Sequence, residues 1–403
     1  MGEVNRTGRT QLMESQRNGT ASAILRTILR DGPVGRKQLA AATGSSFTTI
    51  TRSVRDLLER GALVERDAVR SPAAAGRPVL PLDLPGPEVL VVGTHLHPQR
   101  TTVGAFTLRG ERIHDAARPA GGSSTEARAR DAALLTREVI DELEGSAVVG
   151  IGVATPWAED RLASLGPRPW DIGYDVMTEA MRSTTGLPVW VDSNVRALAV
   201  EHHWWAGMRG NVLTILVGRS IGLAQMREEE LVWSGRGTGG IVSHIQVPGS
   251  EQRCGCGQVG CIAATCTDDA LLERAIATGA LPPGSRQQDL LETAPEDADQ
   301  LTALRAGRVR ELGLVLPPLI DLVDPDLTIL RGTFGTPEEI EECLALIRGR
   351  YREIVGRDVR IEHRAPTAGG NWARASAALA VHGYVNAPLL GEDLEVESAT
   401  PSP

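Results

Sequence analysis

Long apolar runs are missing from this chain of 403 residues. None approaches the roughly 20 residues that a membrane-spanning helix needs, and the opening "MGEVNRTGRTQ" lacks the apolar core of a secretion signal. A cytoplasmic protein with no membrane partner is expected. Cysteine is scarce, at five. That is too few to staple a chain of this length, which is instead long enough to bury two or three cores of its own. Aromatics other than tryptophan are also scarce, with three Tyr and three Phe beside seven Trp. Lysine is almost absent: Lys37 is the only one, so nearly all positive charge is arginine.

The formal net charge of −9 conceals an asymmetry. Residues 1–80 hold 13 Lys+Arg against 7 Asp+Glu, and the rest of the chain 29 against 44. A basic module on an acidic body implies local contact with a polyanion rather than general stickiness.

Within the basic module, "TASAILRTILRDGPVGRKQLAAATGSSFTTITRSVRDLLERGALVE" begins at Thr20. Ile24, Leu25, Ile28 and Leu29 repeat at helical spacing, and Asp31-Gly32-Pro33 stops that helix. A second short helix is expected from Arg36 to Thr43. Gly44 breaks the chain, and a third helix runs from about Ser46 to Arg60, inward through Ile50, Val54, Leu57 and Leu58. This spacing is that of a helix-turn-helix, in which the last helix enters the major groove by its N-terminal turns. Its outward residues are Ser46, Thr48, Thr49, Thr51, Arg52 and Arg55, with Arg36 opening the helix before it. Hydroxyls donate to phosphates or base edges, and arginine binds guanine bidentately. "ALVERDAVRSPAAAGRPVLPLDL" reads as two short strands around a loop, a wing whose Arg77 can reach a minor groove. A small helical dimerisation or adaptor module is the alternative.

From Val89 the pattern changes. "VLVVGTHLHPQRTTVGAFTLRGERI" reads as consecutive strands, followed by a helix around 127–143. "AVVGIGVAT" and "LPVWVDSNV" are strands, "NVLTILVGRSIGLAQMREEELV" is a hairpin, "DPDLTILRG" is a later strand, and "NWARASAALAVHGYV" is a closing helix. Mixed strands with helices between them indicate an α/β body.

The scarce cysteines are not scattered. "HIQVPGSEQRCGCGQVGC" places Cys254, Cys256 and Cys261 behind His244. In a reducing compartment such clusters are more often metal ligands than disulfides, with a redox switch as the alternative. Three thiolates and an imidazole complete a closed tetrahedral site with no place for an activated water, so a metal there would be structural. Gly255, Gly257 and Gly260 let a tight loop wrap the ion. Cys266 and Cys343 read as ordinary buried cysteines.

Helix-turn-helix, α/β body and His-x9-Cys-x-Cys-Gly-x-x-Gly-Cys together resemble the ROK family (repressors, open reading frames, kinases). The family contains regulators of the NagC, Mlc and XylR type as well as sugar kinases. The resemblance runs from about Arg17 to Val385, and "VGIGVATP", "GLPVWVDSNVRALAVEHHWWAG" and "DLVDPDLTILRG" fall in the family's order. It implies an α/β fold class, with a winged helix-turn-helix at 1–84 followed by a two-lobed actin-like ATPase (ribonuclease H-like) body. Lobe 1 would span 85–195, and lobe 2 would span 196–387 with the zinc loop at 244–261 and the closing helix. An acidic tail at 388–403 is expected to be disordered. The resemblance also implies one structural zinc per chain, held by His244, Cys254, Cys256 and Cys261.

Measured against a ROK kinase, the chain departs repeatedly from the pattern. His95 and His97 replace the Asp and Gly of the first phosphate loop. In "GRSIGLA", Arg219, Ser220, Leu223 and Ala224 replace most of the second loop's usual residues, and Leu223 would obstruct a phosphate that needs bare backbone N–H groups. The family's Glu/Asp-Asn-Asp reads Asp192-Ser193-Asn194, and an amide cannot take a proton from an attacking hydroxyl. Ile241 and Ala263 replace two sugar-gripping glutamates, and Trp157 replaces a glycine. Trp157, Trp204 and Trp205 are either packing residues or the walls of an aromatic pocket, and Trp157 could also plug the cleft.

The expected function is a sequence-specific, DNA-binding transcriptional regulator, a repressor by the resemblance, acting as a homodimer or homotetramer on a double-stranded operator. It would lack kinase activity and respond to a small-molecule effector other than a simple sugar, bound near Trp157, Ser193, Asn194, Ile241, His244 and Ala263. The alternatives are a sugar-responsive repressor, a regulator controlled by a protein partner, and an ATP-dependent sugar kinase.

Overall fold

The computed structural model describes residues 3–67, 80–122, 124–155, 173–232, 241–287, 289–292, 299–332, 335–365 and 372–389. The chain begins with three helices, α1 (Glu3–Asp31), α2 (Arg36–Thr43) and α3 (Phe47–Glu59). α2 ends at Gly44, whose φ of 66° is open to glycine at little cost. Two residues later the Ser46 hydroxyl accepts the Thr49 N–H at 3.1 Å and caps α3. Ile24, Leu25, Ile28, Leu39, Ile50, Val54 and Leu57 are fully buried between the three helices. A two-stranded antiparallel ladder follows, β1 (Val64–Glu65) and β2 (Leu82–Asp83). α1 starts earlier than the apolar spacing alone indicates.

Two five-stranded mixed sheets form the body. The first contains β3 (Val89–Leu96), β4 (Arg100–Thr107), β5 (Arg112–Pro119), β6 (Ala147–Thr155) and β7 (Val189–Ser193), in the order β5-β4-β3-β6-β7. The second contains β8 (Asn211–Val217), β9 (Ile221–Arg227), β10 (Glu230–Leu231), β11 (Leu327–Arg331) and β12 (Ile361–Arg364), in the order β10-β9-β8-β11-β12. Each is an antiparallel meander of three strands extended by two parallel ones, so the second sheet repeats the plan of the first.

Helices α4 (Thr125–Asp141) and α5 (Tyr174–Thr185) cover one face of the first sheet. The other face takes α12 (Trp372–Asn386), which packs in turn on α6 (Asn194–Trp205). α6 lies against β8 and β9 of the second sheet, whose far face carries α10 (Asp299–Val323) and α11 (Pro337–Val355). The short helices α7 (Ile262–Thr265), α8 (Asp268–Ala277) and α9 (Asp289–Glu292) fill the segment between β10 and α10.

The closing helix α12 thus follows lobe 2 in sequence, where residues 196–387 placed it, but packs on lobe 1. The reason lies in two glycines. A Cβ on Gly93 would stand 1.9 Å from the Ala373 carbonyl oxygen, and one on Gly152 would stand 1.8 Å from that of Ser376. Bare strand backbone and an Ala-rich helix allow an approach that larger side chains would prevent.

Candidate metal centre, cleft and nucleic-acid surface

His244 ends a 3₁₀ turn, Ile241–His244, and Cys261 stands immediately before α7. Between them the chain folds on itself through isolated bridges, Gln246 with Cys261 and Arg253 with Val259. The N–H of Cys254 donates to the Gln258 carbonyl at 2.9 Å, and that of Gly257 donates back to Cys254 at 2.9 Å. Gly257 and Gly260 take φ values of 89° and 82°, which supplies the reversal.

The turn brings one ligand atom from each of His244, Cys254, Cys256 and Cys261 within 4.8 Å of the others. Cys254 Sγ lies 3.7 Å from His244 Nδ1, and Cys256 Sγ lies 3.7 Å from Cys261 Sγ. A disulfide needs about 2 Å, whereas two thiolates on a tetrahedral zinc, each at about 2.3 Å, stand roughly 3.8 Å apart. Electrostatics favour a cation as well. Burial, together with the neighbouring thiols of Cys256 and Cys254, pushes Cys261 up to about 12, so three thiolates need a compensating positive charge. These four residues can hold a metal ion. Cys266 and Cys343 are fully buried elsewhere in lobe 2, and burial pushes both thiols up to about 12.

At the start of α6, Ser193 closes β7 and Asn194 opens the helix. Ser193 Oγ and Asn194 Oδ1 are both buried, and among the described residues neither has a hydrogen-bond partner. Asp192 is buried, accepts from Ser193 N at 2.7 Å and holds Arg196 at 2.8 Å. His95 is buried and stacks on Trp372 with centroids 4.9 Å apart. Burial, then His97 and Arg100, push it down to about 3, so the ring is neutral. In the β8–β9 turn, Gly218 N donates to Ser220 O at 3.1 Å, and the Arg219 guanidinium pairs with Asp269 at 3.2 Å. Both groups are committed within the protein.

Of the other residues singled out for an effector, His244 belongs to the metal cluster, and Ala263 sits half-buried in α7, two residues past Cys261. Trp157 and the Ile241 side chain lie outside the described residues. Trp204 and Trp205 are packing residues. The Trp204 N–H donates to His382 at 3.2 Å, while that of Trp205 donates to the Leu108 carbonyl at 3.0 Å beneath the Arg374 guanidinium.

On α3, Ser46, Thr48, Thr51, Arg52 and Arg55 are exposed, and Thr49 is half-buried with its hydroxyl 2.8 Å from that of Ser46. Arg36 is tied to Glu65 of the β-ladder at 2.7 Å. Arg77 lies outside the described residues. Phe47, the first residue of α3, is 52% exposed. Sequence reading passed over it because an apolar residue beside an apolar stripe is taken for core. Its spacing to Ile50, Val54 and Leu57 is in phase with the buried stripe, so the sequence carries no signal of its exposure and only the fold shows it.

A family model described as "ROK family" matches residues 102–373. The chain belongs to the ROK family. It is 28% identical, over 85% of its length and 81% of the relative's, to a transcriptional regulator of Mycobacterium tuberculosis. It is 24% identical to a putative xylose repressor of a Caldicellulosiruptor species (84% and 90% covered) and 22% identical to the DNA-binding transcriptional repressor Mlc of Escherichia coli (79% and 82% covered). Among solved structures it resembles a ROK family transcriptional regulator described as a homologue of E. coli Mlc, at a TM-score of 0.72, with 17% identity and 93% and 98% coverage. It also resembles a ROK family glucokinase of Streptomyces griseus, in complex with glucose and AMPPNP, at a TM-score of 0.54, with 24% identity and 72% and 98% coverage.

These likenesses establish the actin-like α/β fold of the ROK body, with its two mixed sheets. They leave the chemistry to the residues, because regulators and kinases share that fold. No helix among the described residues is long and apolar enough to cross a membrane.

Proposed function

We propose that this ROK chain is a sequence-specific DNA-binding transcriptional repressor, built from an N-terminal winged helix-turn-helix and a zinc-stapled body without kinase activity. The observation that carries the reading is the capped helix α3. Its exposed hydroxyls and guanidiniums stand on a basic module joined to a body whose base position holds an amide, Asn194. In this reading the β1–β2 ladder supports a wing. The relatives named as transcriptional regulators support the same reading.

Selection of duplex DNA from a random pool by the purified chain tests it: a recovered motif with two half-sites is expected, as a dimer demands. Enrichment of no sequence at low salt would reject the reading. Phe47 extends the contact surface, because apolar side chains at this place meet the thymine methyl group. Phe47→Ala is expected to weaken the selected operator severalfold and to abolish the effect of replacing its thymines by uracil. An unchanged thymine preference would assign Phe47 another role.

No phosphoryl transfer from ATP to a hexose is expected. Asn194→Asp would restore a carboxylate, yet Leu223 and the Arg219–Asp269 pair still occupy the second phosphate turn, so this change alone is expected to leave turnover undetectable. Radiolabelled ATP with a panel of hexoses gives the measurement, and turnover by the unmodified chain would end the non-enzyme reading.

For the effector, Ser193 Oγ and Asn194 Oδ1 supply a hydroxyl and an acceptor that bind a polar group of the ligand. In the sequence, Ile241 and Ala263 take the places of two glutamates that grip a sugar in ROK kinases, and Trp157 takes that of a glycine. Each hydroxyl left unpaired there costs about 1–3 kcal/mol. An effector with one polar end and an apolar body fits that composition better than a monosaccharide. Calorimetry against sugars, sugar phosphates and aromatic metabolites separates the two, and tight binding of a monosaccharide would return the chain to the sugar-responsive repressors.

A further inference from the structure

A three-residue step along one hairpin strand links the start of α6 to the DNA-binding helices. At the cleft end, Arg196 lies one turn into α6 from Asp192, which holds it at 2.8 Å, and its guanidinium also donates to the Val232 carbonyl at 3.1 Å. Val232 follows β10, and its N–H donates across the hairpin to Gln225 at 2.8 Å. At the other end, the carboxylate of Glu229, in the β9–β10 turn, accepts from Arg26 and from Arg30 of α1, each at 3.3 Å.

Arg26 also donates to Asn386 Oδ1 on α12. One α1 side chain therefore grips both lobes, lobe 2 through Glu229 and lobe 1 through Asn386. The turn itself is well specified. Glu228 takes φ 57°, a conformation that costs a non-glycine residue energy and persists where surroundings enforce it, and its N–H donates to Gly210 at 3.0 Å.

Next to this junction lies a cavity of about 370 Å³, lined by Gly19, Ser22, Arg26, Thr43, Glu229 and Asn386 among others. The apolar side of α1 shares a core with α6 and α12, and beside this cavity directional polar ties add to that packing. Extended backbone between Glu229 and Val232 transmits a displacement with little slack, and the hydrogen bonds at its two ends are directional.

We propose that Glu229 is a positioning residue for the DNA-binding helices, setting the stance of α1 according to where the first turn of α6 sits in the cleft. This rests on the DNA-binding reading above and adds the route by which cleft occupancy reaches DNA.

The test compares the full chain with Glu229→Gln, Arg196→Lys and the double variant. Hydrogen exchange is read over residues 20–31, and affinity is read for a duplex operator selected by the wild-type chain. Glu229→Gln is expected to speed exchange in that segment and to change operator affinity severalfold, with the melting midpoint of the body unmoved. Arg196→Lys, which keeps the charge but loses the guanidinium fork, is expected to act in the same direction from the cleft end. In the double variant its effect should vanish, because the route is already cut. A merely structural role would instead lower the melting midpoint and give additive effects.

Additive effects, or unchanged exchange at 20–31 in Glu229→Gln, would overturn the proposal. If Arg196→Lys fails to fold, Asp192→Asn replaces it as the cleft-end change. Should the wild-type chain select no DNA, the DNA-binding reading falls, and the exchange data alone decide whether Glu229 carries the link.

Discussion

Replacing Cys256 with alanine is expected to release the metal and lower the melting midpoint of the body by roughly 5–15 °C, the scale on which a few kcal/mol act in a domain of this size. A structural zinc contributes its binding free energy to folding, an apparent 10–16 kcal/mol or so in isolated zinc-finger peptides. Less than that is at stake here, because backbone bonds already tie the loop. Val247 N donates to Gly260 O at 2.7 Å, and Ile262 N donates to Ile245 O at 2.8 Å. Cys261 and Ile262 are also fully buried, and Ile262 belongs to the lobe 2 core, which anchors one end of the loop without metal.

What the ion adds is charge compensation at the buried end of the loop, where burial and the thiols of Cys256 and Cys254 push Cys261 up to about 12. A chelator should reproduce the Cys256→Ala shift in the wild-type chain and add nothing to the variant. Metal analysis of well-folded wild-type protein should give one zinc per chain. A folded preparation holding no zinc, or a variant that melts with the wild type, would remove the metal from the account and leave a thiol cluster to be explained as redox chemistry.

The His/Cys cluster was legible because its signal is local: four residues able to hold a metal within eighteen, with glycines at the reversals. The first helices were legible for a similar reason. Gly32, Gly44 and Gly61 punctuate the segment, and the apolar spacing inside each helix meets no competing pattern. What escaped were the relations between distant parts. The composition of α12 announces close packing, but the surface it packs on is decided by Gly93 and Gly152, more than 200 residues earlier. Arg36 reads as a free cation beside a recognition helix, yet it is paired with Glu65 across the ladder. Glu229 reads as one of three turn glutamates, and only the fold brings it to Arg26 and Arg30. Apolar periodicity carries the elements, whereas ion pairs between elements leave no periodic trace.

Arg52→Ala and Arg55→Ala are expected to give the second large effect, on operator affinity alone. Both side chains are exposed on α3, opposite the Ile50, Val54 and Leu57 face, so neither supports the core. Among the described residues Arg55 has only Glu59 within reach, at 3.9 Å, with both side chains about two-thirds exposed, a pair too wet to hold it from DNA. The two variants should differ in kind. An arginine bound to a guanine edge loses about 1–3 kcal/mol at one base pair and relaxes specificity there. An arginine on phosphate weakens every sequence alike and lowers the salt slope by about one unit.

Under the proposed reading Arg52, nearer the N-terminus of α3, is assigned the base edge, while Arg55, one turn further on, is assigned the phosphate. Titrating both variants with the selected operator and a scrambled duplex at several salt concentrations separates the assignments. Arg36→Ala serves as the contrast, because its loss frees Glu65 and should disturb the ladder before it disturbs DNA contact. If both α3 variants bind the operator as tightly as the wild type, the assignment of α3 is wrong, whatever Arg36→Ala does.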